Sequence, residues 1–185
     1  MPQRIMILAT NGFEQSELEQ PKATLEKAGY DVVVVSPEDG EIKGWDEDDW
    51  GETVSVDLTL DEANEADFDA LVLPGGQINP DVLRLNDRAI QIVRDFDDAG
   101  KPIAAICHAP WLLVEADIVD GRRVTSWPSV RTDLANAGGD VVDEEAVVDG
   151  NLVTSRNPDD IPAFCDALTG LLEKQLEESE ELESA

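Results

Sequence analysis

Short runs of Val, Ile and Leu recur along the chain, and the stretches between them carry apolar residues at helical rather than alternating spacing. Residues 4–10 form a continuous apolar run, as a parallel strand covered on both faces requires. Residues 14–28 follow, with Leu18, Leu25 and Ala28 at helix-compatible spacing and Gly29 as a stop signal. Residues 31–36, with four valines at their centre, read as a second strand. Residues 37–57 are acidic, are punctuated by Gly40, Gly44 and Gly51, and read as an irregular or hairpin excursion at the surface. Residues 68–73 run into Pro74-Gly75-Gly76, a strand meeting a turn. The period predicts a helix over 87–99 and a strand over 102–106. Short strands are expected at 123–125, 141–142, 147–148 and 152–154, the last two around Asp149-Gly150-Asn151, with helices at 130–137 and 160–176.

Strand alternating with helix in this way predicts a layered α/β fold. With no internal repeat or linker, residues 1–176 read as one domain. The last nine residues, EESEELESA, lack an apolar stripe and repel one another, so 177–185 are expected to form an acidic flexible tail.

Charge changes what such a domain can do. The 185 residues include 42 Asp and Glu against 13 Lys and Arg, a formal net charge of -29, yet 42% are hydrophobic, enough for an ordinary core. No basic face is available to neutralise a run of phosphates, which excludes a nucleic-acid-binding surface, and anionic membranes repel such a chain. No segment approaches the roughly 20 apolar residues of a membrane span, and the N-terminus does not read as a signal peptide. Two cysteines, Cys107 and Cys165, are too few for a disulfide scaffold and point to a reducing cytoplasm. Self-repulsion on this scale is tolerated in concentrated salt, where the Debye length falls to roughly 3 Å at 1 M, so a high-salt cytoplasm is expected.

Candidate chemistry centres on Cys107, which follows the strand PIAAI and precedes His108-Ala109-Pro110 and an apolar helix-like segment. A cysteine at a strand-to-helix turn can be held exposed while nearby N–H groups and the helix dipole favour its thiolate, although an inert cysteine ending a core strand fits the same pattern. His108, the only histidine, can support the thiolate or exchange a proton, or can serve the turn structurally. Glu14 lies just past the first strand, at the edge where open α/β sheets bind ligands. Glu17 and Glu19 fall farther into the expected helix and make poorer candidates. Gly75 and Gly76 permit a tight turn whose N–H groups can receive charge on an oxygen. Cys165 shares a helical face with Leu168 and Leu172 and reads as core. One histidine and two distant cysteines make no metal constellation, and neither a dinucleotide fingerprint nor a phosphate-binding loop occurs, so no cofactor is expected.

The ordered set of GFEQSEL after the first strand, FDALVLPGG, PIAAICHAPWLL, GRRVTSWPS and VVDGNLVTSRNPDDIPAF closely resembles the PfpI-like intracellular protease/amidase family of the class I glutamine amidotransferase-like superfamily, over residues 4–172. The resemblance implies a flavodoxin-like three-layer sandwich with a mainly parallel sheet, Cys107 at a nucleophile elbow, Glu14 against its thiol and His108 beside it. It also implies oxyanion donors from Gly76 and the His108 backbone. Asp81, in GGQINPD, matches a carboxylate that reaches the histidine from a neighbouring subunit, and Trp127 matches an aromatic position near the pocket. The activities implied are deglycase or glyoxalase-like action on methylglyoxal, glyoxal and their protein adducts, with cysteine peptidase or redox-sensing stress protein as alternatives. A homodimer is the implied assembly, with a hexamer as the larger option.

Overall fold

The computed structural model describes all 185 residues. Strand β1 (Arg4–Leu8) is followed by a two-residue strand β2 (Phe13–Glu14) and helix α1 (Gln15–Lys27). Strand β3 (Asp31–Ser36) leads into a hairpin of β4 (Glu41–Asp46) and β5 (Asp49–Ser55), and the short β6 (Leu58–Thr59) returns to the sheet. Strand β7 (Ala70–Leu73), helices α2 (Ile78–Leu83) and α3 (Asp87–Asp98), strand β8 (Ile103–Ile106) and helix α4 (Pro110–Glu115) come next. The chain closes with β9 (Arg123–Val124), α5 (Arg131–Asn136), β10 (Asp140–Val141), β11 (Val147–Asp149), β12 (Leu152–Ser155) and α6 (Ile161–Ser184).

Seven strands form one sheet in the order β11-β12-β8-β7-β1-β3-β6, parallel throughout except for β11 against β12. Apolar runs become strands here because both faces need covering. Met6 and Leu8 face the layer that holds Ile92, Val93 and Phe96 of α3 and Leu112 and Leu113 of α4, whereas Ile5 and Ile7 face Leu18 and Leu25 of α1 and Phe164, Leu168 and Leu172 of α6. Each such side chain taken fully from water contributes about 1.5–3 kcal/mol, so a polar substitution on either face of β1 costs the fold directly. The result is the three-layer α/β sandwich expected, and Cys165 is a core residue of the α6 face.

Two local readings change. Residues 13–14 pair in parallel with Gly44 and Trp45 of β4, so the helix starts at Gln15, one residue later than its period suggested. Residues 177–185, expected as a flexible tail, continue α6 as far as Ser184. Glu, Leu and Lys are good helix formers, and Lys174 stands 3.8 Å from Glu178 one turn on. The residues of the extension are nonetheless all exposed.

The chain runs from β1 outward to β3 and then back to β7 on the other side, so the loops after β1 and β7 diverge at the carboxyl edge of the sheet. That divergence leaves a crevice in open α/β folds.

Candidate active site

Cys107 follows β8 directly, in the left-handed region with φ of 65°. A non-glycine residue keeps that conformation only where its surroundings enforce it. Here the Cys107 N–H donates to the Ser155 carbonyl (3.0 Å) and its carbonyl accepts from the Trp127 N–H (2.9 Å), which pins the turn to β12 and to the 126–127 loop. Helix α4 then starts with Pro110, and the side chain of Cys107 is swung out of the sheet plane into the crevice while remaining 6% exposed.

Three kinds of group converge on its sulfur. The Gly76 and His108 backbone N–H groups point at it and favour its ionised form, and the His108 imidazole Nδ1 stands 3.1 Å away. The third is a carboxyl, that of Glu17. The sequence reading set Glu14 in this place, and the structure corrects it. Glu14 lies in β2 beside Trp45, so its half-buried carboxyl turns to the hairpin, near Asp46 and Glu47. Glu17 sits in the first turn of α1 on the buried stripe Glu17, Leu18, Pro21, Leu25 and is wholly inaccessible. The available signal was a carboxyl at position 17 on the same helical stripe as Leu18, Pro21 and Leu25.

Glu17 Oε2 accepts the Gly75 N–H (2.9 Å), whereas Oε1 has no partner of regular hydrogen-bond geometry. Burial, then the Glu14 charge, push its pKa up to about 8 against the opposing effect of Cys107 and the Gly75 N–H, so it holds a proton at neutrality. Burial also pushes the Cys107 thiol up, as does a charge on Glu17, while the Gly76 and His108 N–H groups pull it down. The two groups are therefore one buried acid pair that can carry a single negative charge, with the neutral Glu17 carboxyl free to donate toward sulfur. Burial lowers the pKa of His108, which leaves a neutral ring and no imidazolium to support the thiolate.

The Pro74-Gly75-Gly76 turn fits because it has no side chains. A Cβ on Gly75 would collide with Glu17 Oε2 and come 2.7 Å from the Cys107 Cβ, and one on Gly76, at φ 85°, would come 2.6 Å from Gly12 O and Glu14 N. Gly75 spends its N–H on Glu17, so the free donors for an oxyanion are those of Gly76 and His108. The sequence reading missed Asn79, which is fully buried. Its Oδ1 accepts the Thr10 N–H (2.8 Å) and its Nδ2 donates to Pro74 O (2.9 Å), clamping the turn to the end of β1.

Trp127 stacks on the His108 ring (centroids 5.7 Å apart, planes 22°) and Trp111 meets it edge-on at 5.1 Å, so the imidazole has little freedom. Glu14, Glu17, Trp45, Glu47, Gly76, Gln77, Cys107, His108, Trp127 and Pro158 enclose a cleft of about 330 Å³. Asp81 is not among them. It is exposed on α2 with neither an ion pair nor a hydrogen bond, outside the cleft of its own chain. No helix is long and apolar enough to cross a membrane.

Residues 3–170 match the model of the DJ-1/PfpI family. The chain is 45% identical to general stress protein 18 of Bacillus subtilis over 176 residues, 94% of this chain and 100% of that one. It is 44% identical to deglycase PfpI of Pyrococcus furiosus over 169 residues, 91% of this chain and 99% of that one. Among solved structures it superposes with a TM-score of 0.87 and 36% identity on a two-domain protein of Anabaena variabilis that joins a DJ-1/ThiJ/PfpI-like domain to a ferritin-like one. That match covers 92% of this chain and 48% of the Anabaena chain. From the nucleophile elbow to the full length of the match, the chain belongs to the DJ-1/PfpI family.

Proposed function

We propose that this protein is a cysteine-dependent hydrolase that acts on methylglyoxal or glyoxal and on the aminocarbinols and hemithioacetals they form with protein side chains. The observation that carries the reading is the pairing of a strained Cys107 with a buried, protonated Glu17 under two free N–H donors. The close relative from Pyrococcus furiosus is itself named a deglycase.

In this reading the Cys107 sulfur attacks the carbinol carbon of R–NH–CH(OH)–CO–CH3. The C–N bond breaks, and the amine leaves with the proton given up by the thiol through the Glu17 carboxyl. The product is a hemithioacetal on sulfur. Transfer of the C1 proton to one face of the adjacent carbonyl carbon, with Glu17 and the neutral His108 as carriers, oxidises C1 and reduces C2 to give a lactoyl thioester. Water then cleaves the C–S bond, releasing lactate and restoring the thiol, so the sum is adduct plus water to amine plus lactate. Oxygen charge in both tetrahedral stages falls to the Gly76 and His108 N–H groups.

Replacing Cys107 with Ala tests the reading. Lactate release from a preformed adduct, measured against a free-methylglyoxal trapping control, is expected to fall to the uncatalysed rate, and equal release by the two proteins would refute it. Peptide cleavage through an Asp81–His108 contact requires a second copy of the chain, because Asp81 stands outside its own cleft.

A further inference from the structure

Consecutive peptide units of the turn after β7 carry the N–H groups on which the site depends. The unit between Pro74 and Gly75 gives its N–H to Glu17 Oε2 (2.9 Å), and the unit between Gly75 and Gly76 gives its N–H to the Cys107 sulfur. Neither glycine has a side chain to hold its unit in place, and Gly76 sits at φ 85°, so the chain itself does not stop either unit from rotating. A trans peptide is planar and points its C=O opposite to its N–H. Whatever grips the carbonyl therefore aims the N–H.

Both carbonyls are gripped by a single atom. Asn79 Nδ2 donates to Pro74 O (2.9 Å) and to Gly75 O (3.3 Å), and Gly75 O also accepts the Glu14 N–H (3.2 Å). The other end of the amide is committed to β1, since Oδ1 accepts the Thr10 N–H (2.8 Å). That fixes which way round the group lies, because an N–H requires the oxygen and the carbonyls require the nitrogen. Asn79 is fully buried, so bulk water competes at neither end. We propose that Asn79 is a positioning residue for the reaction, holding the carbonyls of successive peptide units so that one N–H meets the proton carrier Glu17 and the next meets the nucleophile and its oxyanion. It does not line the cleft and acts only through the turn. The proposal rests on the hydrolase reading for its effect on turnover, whereas its effect on the thiol is independent of any substrate.

The clamp to β1 and the aiming of the turn can be separated by substitution. Asn79→Asp keeps an oxygen for the Thr10 N–H and loses the nitrogen, and Asn79→Ala loses both without placing a charge among the carbonyls. At about pH 8, each should lower kcat for lactate release from the uncharged hemithioacetal of methylglyoxal with 2-mercaptoethanol by about thirtyfold, with KM within about threefold. An N–H that swings away is missed most where oxygen charge develops. Alkylation of Cys107 by iodoacetamide, followed by mass at that residue, should slow about tenfold, as a thiol that loses the Gly76 N–H ionises less readily. Ile92→Ala opens a cavity in the α3 layer on the far side of the sheet, which destabilises the fold without touching the turn, and should keep both rates within about threefold. The proposal is overturned if either Asn79 variant, folded, keeps either rate within about threefold of the unsubstituted protein, or if Ile92→Ala loses both rates as they do. Absence of Cys107-dependent lactate release in the unsubstituted protein would count against the hydrolase reading alone, and alkylation then decides the role of Asn79.

Discussion

Glu17 is the residue whose ionisation couples folding to chemistry. Its pKa in the folded chain, about 8, lies well above the ordinary 4.5, so the folded state holds a proton that the unfolded chain has already released. The contribution of Glu17 to stability is therefore full below about pH 4.5 and falls as pH rises from there to about 8. At about 1.4 kcal/mol per pH unit the loss is several kcal/mol. Glu17→Gln keeps an acceptor for the Gly75 N–H and removes the titration. Its thermal midpoint should accordingly exceed that of the unsubstituted protein by a margin that grows between pH 5 and pH 8. A margin independent of pH in paired melts would show that Glu17 does not carry this buried proton. The sequence made Cys107 and His108 easy to find, since a cysteine between an apolar strand and an apolar helix is locally conspicuous. Glu17 was harder because Glu14 belongs to a two-residue strand that turns its carboxyl to the hairpin, while Glu17, three residues on, takes the buried stripe of the helix.

Among the elements, the parallel strands were the most legible. Strands covered on both faces must be continuous apolar runs, and β1, β3, β7 and β8 are fully or nearly fully buried. The hairpin was legible as an excursion but not as a wall of the site. Its Trp and acidic residues look like any solvated surface until parallel pairing of Phe13 with Gly44 brings them over the crevice. The turn after β7 shows how closely the elements are fitted. Gly76→Ala would require a Cβ at positive φ and within 2.6 Å of two backbone atoms that cannot yield without moving the β1–α1 loop. It should cost about 2 kcal/mol or more in denaturant melts and remove an oxyanion donor from position. Unchanged stability would mean that the turn is looser than its packing implies.

On the scale of the whole molecule, the charge of -29 and the site divide cleanly. Nearly all the acids are solvated, and most ion pairs, such as Arg4 with Asp31 and Arg123 with Glu144, lie on the exposed surface where each contributes little, whereas Arg156 holds the buried Asp160 at 2.9 Å. Their mutual repulsion weakens in concentrated salt as the screening length shortens, with no effect on a pair of groups buried beneath α1 and the turn after β7. Of the 42 acidic residues only Glu17 and Asp160 are buried; Asp160 is neutralised by Arg156, and Glu17 alone is placed against the nucleophile, which makes its identity the central claim. The direct measurement is kcat for hydroxyacid release from an uncharged hemithioacetal, compared between Glu17→Gln and Glu14→Gln. Loss of a positioned proton carrier should lower kcat by about a hundredfold or more in Glu17→Gln, with Glu14→Gln remaining within about threefold of the unsubstituted protein. The reverse order, with Glu14→Gln the inactive variant and Glu17→Gln active, would contradict the account.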